Sequence, residues 1–241
     1  MRIGAKTDTG HYRKINEDSF FIYRNERLVG GMVADGMGGH NAGEVASKMA
    51  AELIKSSIIE GFYPEMDYIE LSEVVRRAFA EANEEIFRKS KVEANTTGMG
   101  TTAAAAFVFG GKLITANVGD SRVYLIKNGE IHQLTRDHSF VEELIEQGNI
   151  TPEIAMLHPQ KNYITRALGT DNFVKTDILI NEYDGETVVI CTDGLTNLVT
   201  DEQIVDIISQ YEDYQEAAEA LVNFANQKGG PDNITCVVFE Q

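Results

Sequence analysis

Aspartates stand where the apolar runs of this chain begin or end. That placement restricts the fold to one that carries the ends of distant strands to a common edge. Asp35-Gly36 follows the run Leu28-Val29-Gly30-Gly31-Met32-Val33-Ala34, and Asp193-Gly194 follows Thr187-Val188-Val189-Ile190-Cys191-Thr192. Asp232-Asn233 precedes Ile234-Thr235-Cys236-Val237-Val238-Phe239, and Asn16-Glu17-Asp18 precedes Ser19-Phe20-Phe21-Ile22-Tyr23. Carboxylates gathered from far-apart strand ends make an oxygen-lined site of the kind that suits a hard divalent cation.

The rest of the pattern predicts the scaffold. Residues 102–109 and 112–118 flank Gly110-Gly111, and residues 121–127 and 130–134 flank Asn128-Gly129. Both dipeptides favour two-residue hairpins, so the middle third reads as an antiparallel meander. Apolar residues at helical spacing (Val45, Met49, Leu53; Leu71, Val75, Ala78, Phe79, Ala82, Ile86) predict two long helices. Thr200-Asp201-Glu202-Gln203 is a capping box opening a third helix, and a fourth is predicted over 214–226, stopping at Gly229-Gly230-Pro231. Helices between strand pairs predict an α+β layered architecture with helices packed outside an antiparallel sandwich. Residues 136–172 lack a long stripe and read as an excursion from the sheet, a flap. No linker, repeat or low-complexity segment interrupts the chain, so residues 1–241 are expected to form one domain.

Composition narrows the partners. The net charge of −17 on 241 residues repels nucleic-acid phosphates, and no basic cluster offsets it. No run is long enough to span a membrane, and the N-terminus has no apolar signal stretch. Cys191 and Cys236 both lie inside apolar runs and are expected to be buried and unpaired, in a reducing, cytoplasmic compartment.

Metal-assisted phosphate hydrolysis needs oxygen ligands for two cations, an activated water and a positive group that orients the phosphate. Asp35 is the candidate bridging ligand, with the Gly36 carbonyl beside it. Asp193, Asp232, Glu17 and Asp18 supply further oxygens. Arg13, three residues before Asn16, is the candidate orienter because a guanidinium grips two phosphate oxygens as a fork. Competing motifs fail. Gly38 to Gly43 has phosphate-loop spacing but Glu44 stands where a lysine is needed. No dinucleotide, calcium-loop or nucleophile-elbow pattern is complete.

In chain order, Arg13-x-x-Asn16-Glu17-Asp18, Val33-Ala34-Asp35-Gly36-Met37-Gly38-Gly39-His40, Gly98-Met99-Gly100-Thr101-Thr102, Val118-Gly119-Asp120-Ser121-Arg122, Cys191-Thr192-Asp193-Gly194 and Gly230-Pro231-Asp232-Asn233 resemble the motifs of the bacterial protein phosphatase 2C family of metal-dependent serine/threonine phosphatases. The resemblance implies a four-layer α/β/β/α sandwich with a dimetal cleft at one edge. It implies Mn²⁺ or Mg²⁺, two ions per site, with Asp35 bridging. Asp193 and Asp232 would serve one ion, and Glu17 and the Gly36 carbonyl the other. Asp120 with Asp193 would hold the third ion found in many bacterial members. Asp18 would orient the attacking water, and Arg13 would bind the phosphate. The expected partners are phosphoprotein substrates and a serine/threonine kinase whose work the enzyme reverses, with the enzyme a monomer. In the animal motif a histidine follows the Asp-Gly pair, whereas here that position is Met37. His40 is the nearest candidate proton donor, with a structural role in the glycine turn as the alternative. Two rival readings are hydrolysis of small phosphate esters and a metal-poor module that only docks phosphoproteins.

Overall fold

Two antiparallel sheets form from the apolar runs, and helices cover their outer faces. The structure, a computed structural model, describes residues 1–38 and 42–241, Met156 without its side chain. The strands are β1 (Arg2–Asp8), β2 (Asp18–Arg24), β3 (Val29–Met37), β4 (Gly100–Thr101), β5 (Ala103–Phe109), β6 (Lys112–Val118), β7 (Arg122–Lys127), β8 (Glu130–Gln133), β9 (Asp177–Glu182), β10 (Thr187–Cys191) and β11 (Ile234–Glu240). The helices are α1 (Gly43–Gly61), α2 (Tyr68–Val92), α3 (Phe140–Glu146), α4 (Pro152–Met156), α5 (Asp193–Thr196), α6 (Asp201–Ile208) and α7 (Tyr214–Gln227). One sheet runs β1-β11-β10-β7-β8 and the other β2-β3-β5-β6-β9, with β4 paired to β3.

The apolar runs are continuous because the central strands are buried on both faces. Along β10, Val188 and Ile190 pack between the sheets with Val33, Val123, Val237 and Phe239. Val189 and Cys191 face the other way, into a core built with Leu221 and Val222 of α7. On the opposite side, Met32, Ala105 and Phe107 pack under α1 and α2 against Ile54, Ile58 and Phe79. Three apolar layers between four structural layers account for the sandwich. The capping box forms as expected: Thr200 caps α6 and Gln203 returns the bond. Among the described residues, no helix is long and apolar enough to cross a membrane.

The meander expected over 102–134 is two hairpins in different sheets. β5 pairs β6 in one sheet and β7 pairs β8 in the other. Both turns carry the left-handed backbone that their residues favour, with φ of 59° and 71° at Gly110 and Gly111 and of 53° and 82° at Asn128 and Gly129. Between β6 and β7 the chain changes sheet through Gly119-Asp120-Ser121. Gly119 has φ +108°, and a Cβ there would meet Thr102 Cβ at 2.6 Å, so a side chain would be strained and would clash. This crossing brings Asp120 to the edge shared by both sheets. From Arg136 to Thr176 the chain leaves the sheets, carrying α3, α4 and isolated bridges at Thr101↔Leu168 and Ser139↔Ile164.

Candidate metal centre

The pairing of β2 with β3 sets Asp18 directly opposite Asp35. β3 does not end at Asp35. It continues through Gly36 and Met37, which pair with Thr101 and Gly100. Gly36 is therefore not a turn glycine. It is needed for close approach, since a Cβ would lie 2.1 Å from the Gly43 carbonyl oxygen and 2.6 Å from that of Glu17. Gly194 has the same reason: its Cβ would meet the Asn233 carbonyl oxygen at 1.9 Å. Asp193 opens α5 directly after β10, and Asp232 lies just before β11.

Backbone and hydroxyl groups lock these carboxylates in place. The Asp35 amide donates to Thr102 Oγ1 (2.9 Å), while the Thr102 amide and the Thr101 hydroxyl both donate to the Asp35 carbonyl (2.9 Å each). Asp18 Oδ2 accepts from Thr192 Oγ1 (2.9 Å) and Thr235 Oγ1 (2.6 Å), which ties one sheet to the other. Asn233 clamps the Arg13–Glu17 loop: its Oδ1 accepts from the Glu17 amide (2.8 Å), and its Nδ2 donates to the carbonyls of Thr9 (2.9 Å) and Ile15 (3.0 Å). Asn197 Nδ2 donates to Asp193 Oδ2 (3.0 Å).

The site has too little positive charge for the oxygens it collects. Asp18 Oδ1, Asp120 Oδ1 and Asp193 Oδ1 are buried and have no hydrogen-bond partner among the described residues. Burial is the main push on all of these carboxyls. The Asp18 carboxyl rises to about 7, the Thr235 and Thr192 hydroxyls holding it back while Asp193 and Asp232 push it further. Burial, then Asp193 and Asp137, raise Asp120 to about 8. Asp35 lies well above the usual carboxylate range through burial and the charges of Asp18 and Asp193. Asp193 is raised by burial and by Asp232, with Asp35 and Asn197 holding it back. Carboxylates crowded together in this way cannot all stay charged unless a cation or a proton intervenes.

Arg13 enters the same site. Its Nη2 donates to Asp232 Oδ2 (2.9 Å) and its Nε lies 2.9 Å from Oδ1, a two-pronged pair. Glu17 is raised by burial and by Glu44, whose Oε2 is also buried without a partner among the described residues. Unpaired, buried, mutually repelling carboxylates fit divalent cations. Among the described residues no three His, Cys, Asp or Glu side chains form a ready cage. Mg²⁺-like cations keep several waters and take only one or two carboxylates each, so a water-rich site has this form.

Of the expected residues, Asp18, Asp35, Gly36, Asp120, Asp193, Asp232, Glu17 and Arg13 all meet at this edge. His40 lies outside the described residues. Thr102, Thr192, Thr235 and Asn233 were not expected. Thr192 and Asn233 directly adjoin expected ligands, but their partners come from the fold. Glu44 counted only against a phosphate loop, although it lies close enough to raise Glu17. A cavity of about 300 Å³ adjoins the site, lined by Asp120, Arg122, Asp193 and Asn197 on one side and by Lys161 and Asn162 of the excursion on the other.

The sequence profile of protein phosphatase 2C matches residues 9–235. The chain belongs to the protein phosphatase 2C family. This phosphatase 2C chain is 39% identical over 245 residues to the serine/threonine phosphatase stp of Listeria welshimeri serovar 6b, covering 100% of this chain and 96% of that protein. Its fold superposes on the serine/threonine phosphatase Stp1 of Staphylococcus aureus with a TM-score of 0.91 at 35% identity, covering 99% of this chain and 94% of the other. It also superposes on the catalytic domain of the serine/threonine protein phosphatase PstP in complex with two manganese ions, with a TM-score of 0.82 at 36% identity, covering 98% and 96%. Both solved phosphatase 2C structures thus span nearly the full length of this one.

Proposed function

We propose that this enzyme hydrolyses phosphoserine and phosphothreonine on proteins, using Mn²⁺ or Mg²⁺ in the Asp35 cleft. The observation that carries the reading is the set of carboxylate oxygens, Asp18 Oδ1, Asp120 Oδ1 and Asp193 Oδ1, buried at one edge with no hydrogen-bond partner among the described residues. The manganese pair in PstP and the names of the relatives support it.

Asp35 would bridge two ions, with Asp193 and Asp232 serving one, Glu17 and the Gly36 carbonyl the other, and Asp120 with Asp193 a third. Divalent cations supply Lewis acidity there, which lowers the proton affinity of water and of a departing alkoxide. Asp18, held by Thr192 and Thr235, keeps Oδ1 without a partner among the described residues, and with it would orient the attacking water. Arg13 exchanges its hold on Asp232 for two oxygens of the substrate phosphate, and its exposed side chain (49%) leaves it free to do so. Water is the nucleophile, so no phosphoenzyme forms. His40 is the candidate proton donor to the leaving alkoxide. The 136–172 excursion borders the cleft and acts as the flap of one catalytic domain spanning 1–241.

The substrates are phosphoproteins rather than nucleic acids or membranes, since the net charge of −17 repels polyanions away from the cations. The enzyme acts as a cytoplasmic monomer that reverses a serine/threonine kinase. A panel of phosphoserine and phosphothreonine peptides against free phosphorylated metabolites, with Mn²⁺, tests the substrate class. Higher kcat/KM on the peptides is expected. Equal or better turnover of the metabolites would replace this reading with a small-ester phosphatase.

A further inference from the structure

The two ends of the flap meet on one histidine, and that histidine reaches back to Asp120. His138 is 6% exposed. Its Nδ1 lies 3.0 Å from the Gly119 amide nitrogen, which can only donate, so Nδ1 carries no proton. Because Nδ1 accepts, the ring proton sits on Nε2, which has Asp177 Oδ2 at 3.0 Å at the start of β9 as its acceptor and Arg166 Nη1 2.9 Å away beside it. Arg166, at the far end of the flap, brings Nη1 to 3.1 Å from Asp177 Oδ1 and donates to the Lys175 carbonyl (3.2 Å). Backbone bonds close the same knot. The His138 amide donates to the Gly119 carbonyl (2.9 Å), and the Thr165 amide donates to the His138 carbonyl (2.8 Å). Asn117 Nδ2 joins the Gly119 carbonyl (3.1 Å) to that of Arg136 (3.0 Å).

A buried histidine between a carboxylate and a guanidinium could be simple filling beneath the flap. Gly119 makes it more than that. At φ +108° without a Cβ, this peptide has few side-chain constraints of its own, so the groups bonded to it fix its orientation. The next residue is Asp120, whose Oδ1 is buried and unpartnered among the described residues. Whatever turns the Gly119 peptide turns that carboxylate relative to Asp193.

We propose that His138 is a positioning residue for Asp120, coupling the ion site of Asp120 and Asp193 to the root of the flap. The inference rests on the metal reading of Asp120 given above. Nδ1 holds the Gly119 amide, and Asp177 holds the ring in the tautomer that leaves Nδ1 free to accept. Arg166 links the same carboxylate to the far end of the flap, so flap and ion site move together.

Two substitutions separate the two nitrogens. In His138→Asn the amide oxygen stands where Nδ1 stands and can still accept from Gly119. In His138→Gln the side chain reaches only toward the Nε2 position. Mn²⁺ binding to the purified chain is followed by calorimetry, and amide exchange of residues 140–163 is followed with and without Mn²⁺. The weakest class of Mn²⁺ sites should lose about tenfold or more in affinity in His138→Gln and stay near wild type in His138→Asn. The tighter class should be unchanged in both. Mn²⁺ should slow flap exchange in wild type. Asp177→Asn, which alters one atom and spares the packing, should abolish that slowing while the tighter sites still fill. The coupling is overturned if His138→Gln binds Mn²⁺ like wild type, or if the Asn and Gln variants weaken it equally. Absence of the tighter class in wild type would overturn the metal reading itself.

Discussion

Replacing Asp18 by asparagine should stabilise the protein in chelator at high pH, and the gain should grow as pH rises. Asp18 is 7% exposed, and its carboxyl titrates near 7 in the fold. The unfolded carboxyl titrates near 3.8. Between those two values the native state holds a proton that the unfolded state has released. Stability from this group is therefore complete below about pH 4 and is lost as pH rises through about 7. The separation of about three pH units corresponds to about 4 kcal/mol. The substituted asparagine cannot ionise, and its carbonyl oxygen can still accept from Thr192 and Thr235. The advantage of Asp18→Asn should be about 2 kcal/mol at pH 5 and approach about 4 kcal/mol at pH 8. The acidic surface also destabilises the fold as pH rises, so the wild-type slope alone decides nothing. The difference between variant and wild type isolates Asp18. Urea unfolding by circular dichroism suits the test, because the chain has no tryptophan to report fluorescence. Millimolar Mn²⁺ should narrow the gap at pH 8, since cation charge close to Asp18 favours the ionised carboxylate that the variant lacks. Equal or lower stability of the variant at pH 8 in chelator would refute the view that burial and neighbouring carboxylates hold this charge against its own preference.

Gly36→Ala puts a methyl group 2.1 Å from the Gly43 carbonyl oxygen. It should lower stability by about 1–3 kcal/mol and weaken the thermal shift produced by Mn²⁺, both visible in melting curves. Arg13→Ala should lower kcat/KM on a phosphopeptide by roughly 10- to 100-fold, the worth of a charged hydrogen bond. Arg13→Lys should restore only part of it, because an ammonium cannot make the two-pronged contact. Full recovery by lysine would remove the fork from the account.

Much of the site was legible because its chemistry sits at the boundaries of apolar runs. Asp35, Asp193 and Asp232 could be placed at one edge from their neighbours alone. The ordered motifs between Arg13 and Asn233 then named the family, which the match over residues 9–235 bears out. What was not legible depends on tertiary approach. Gly36 and Gly194 look like turn glycines in sequence, yet each is required because another backbone passes within about 2 Å of where a Cβ would be. The jump between sheets at Gly119 could not be read from hairpin dipeptides, which describe local turns and not the sheet each hairpin joins. Thr192 and Thr235 have no distinguishing local pattern. Their role exists only because β10 and β11 pair next to the end of β2. The strands β1 and β9 were missed for a related reason. Both are only partly buried, and their apolar stretches, Ile3-Gly4-Ala5 and Ile178-Leu179-Ile180, are three residues long, too short to stand out as runs.

The central claim is that cations held by Asp35 and Asp193 drive phosphate-ester hydrolysis. The direct measurement is phosphate release from a chromogenic ester and a phosphothreonine peptide, with Mn²⁺ and after exhaustive chelation, for wild type, Asp35→Asn and Asp193→Ala. Wild type should turn over only with metal, and both variants should lose activity by at least about a hundredfold. Full activity after chelation, or equal activity in all three proteins, would contradict the account.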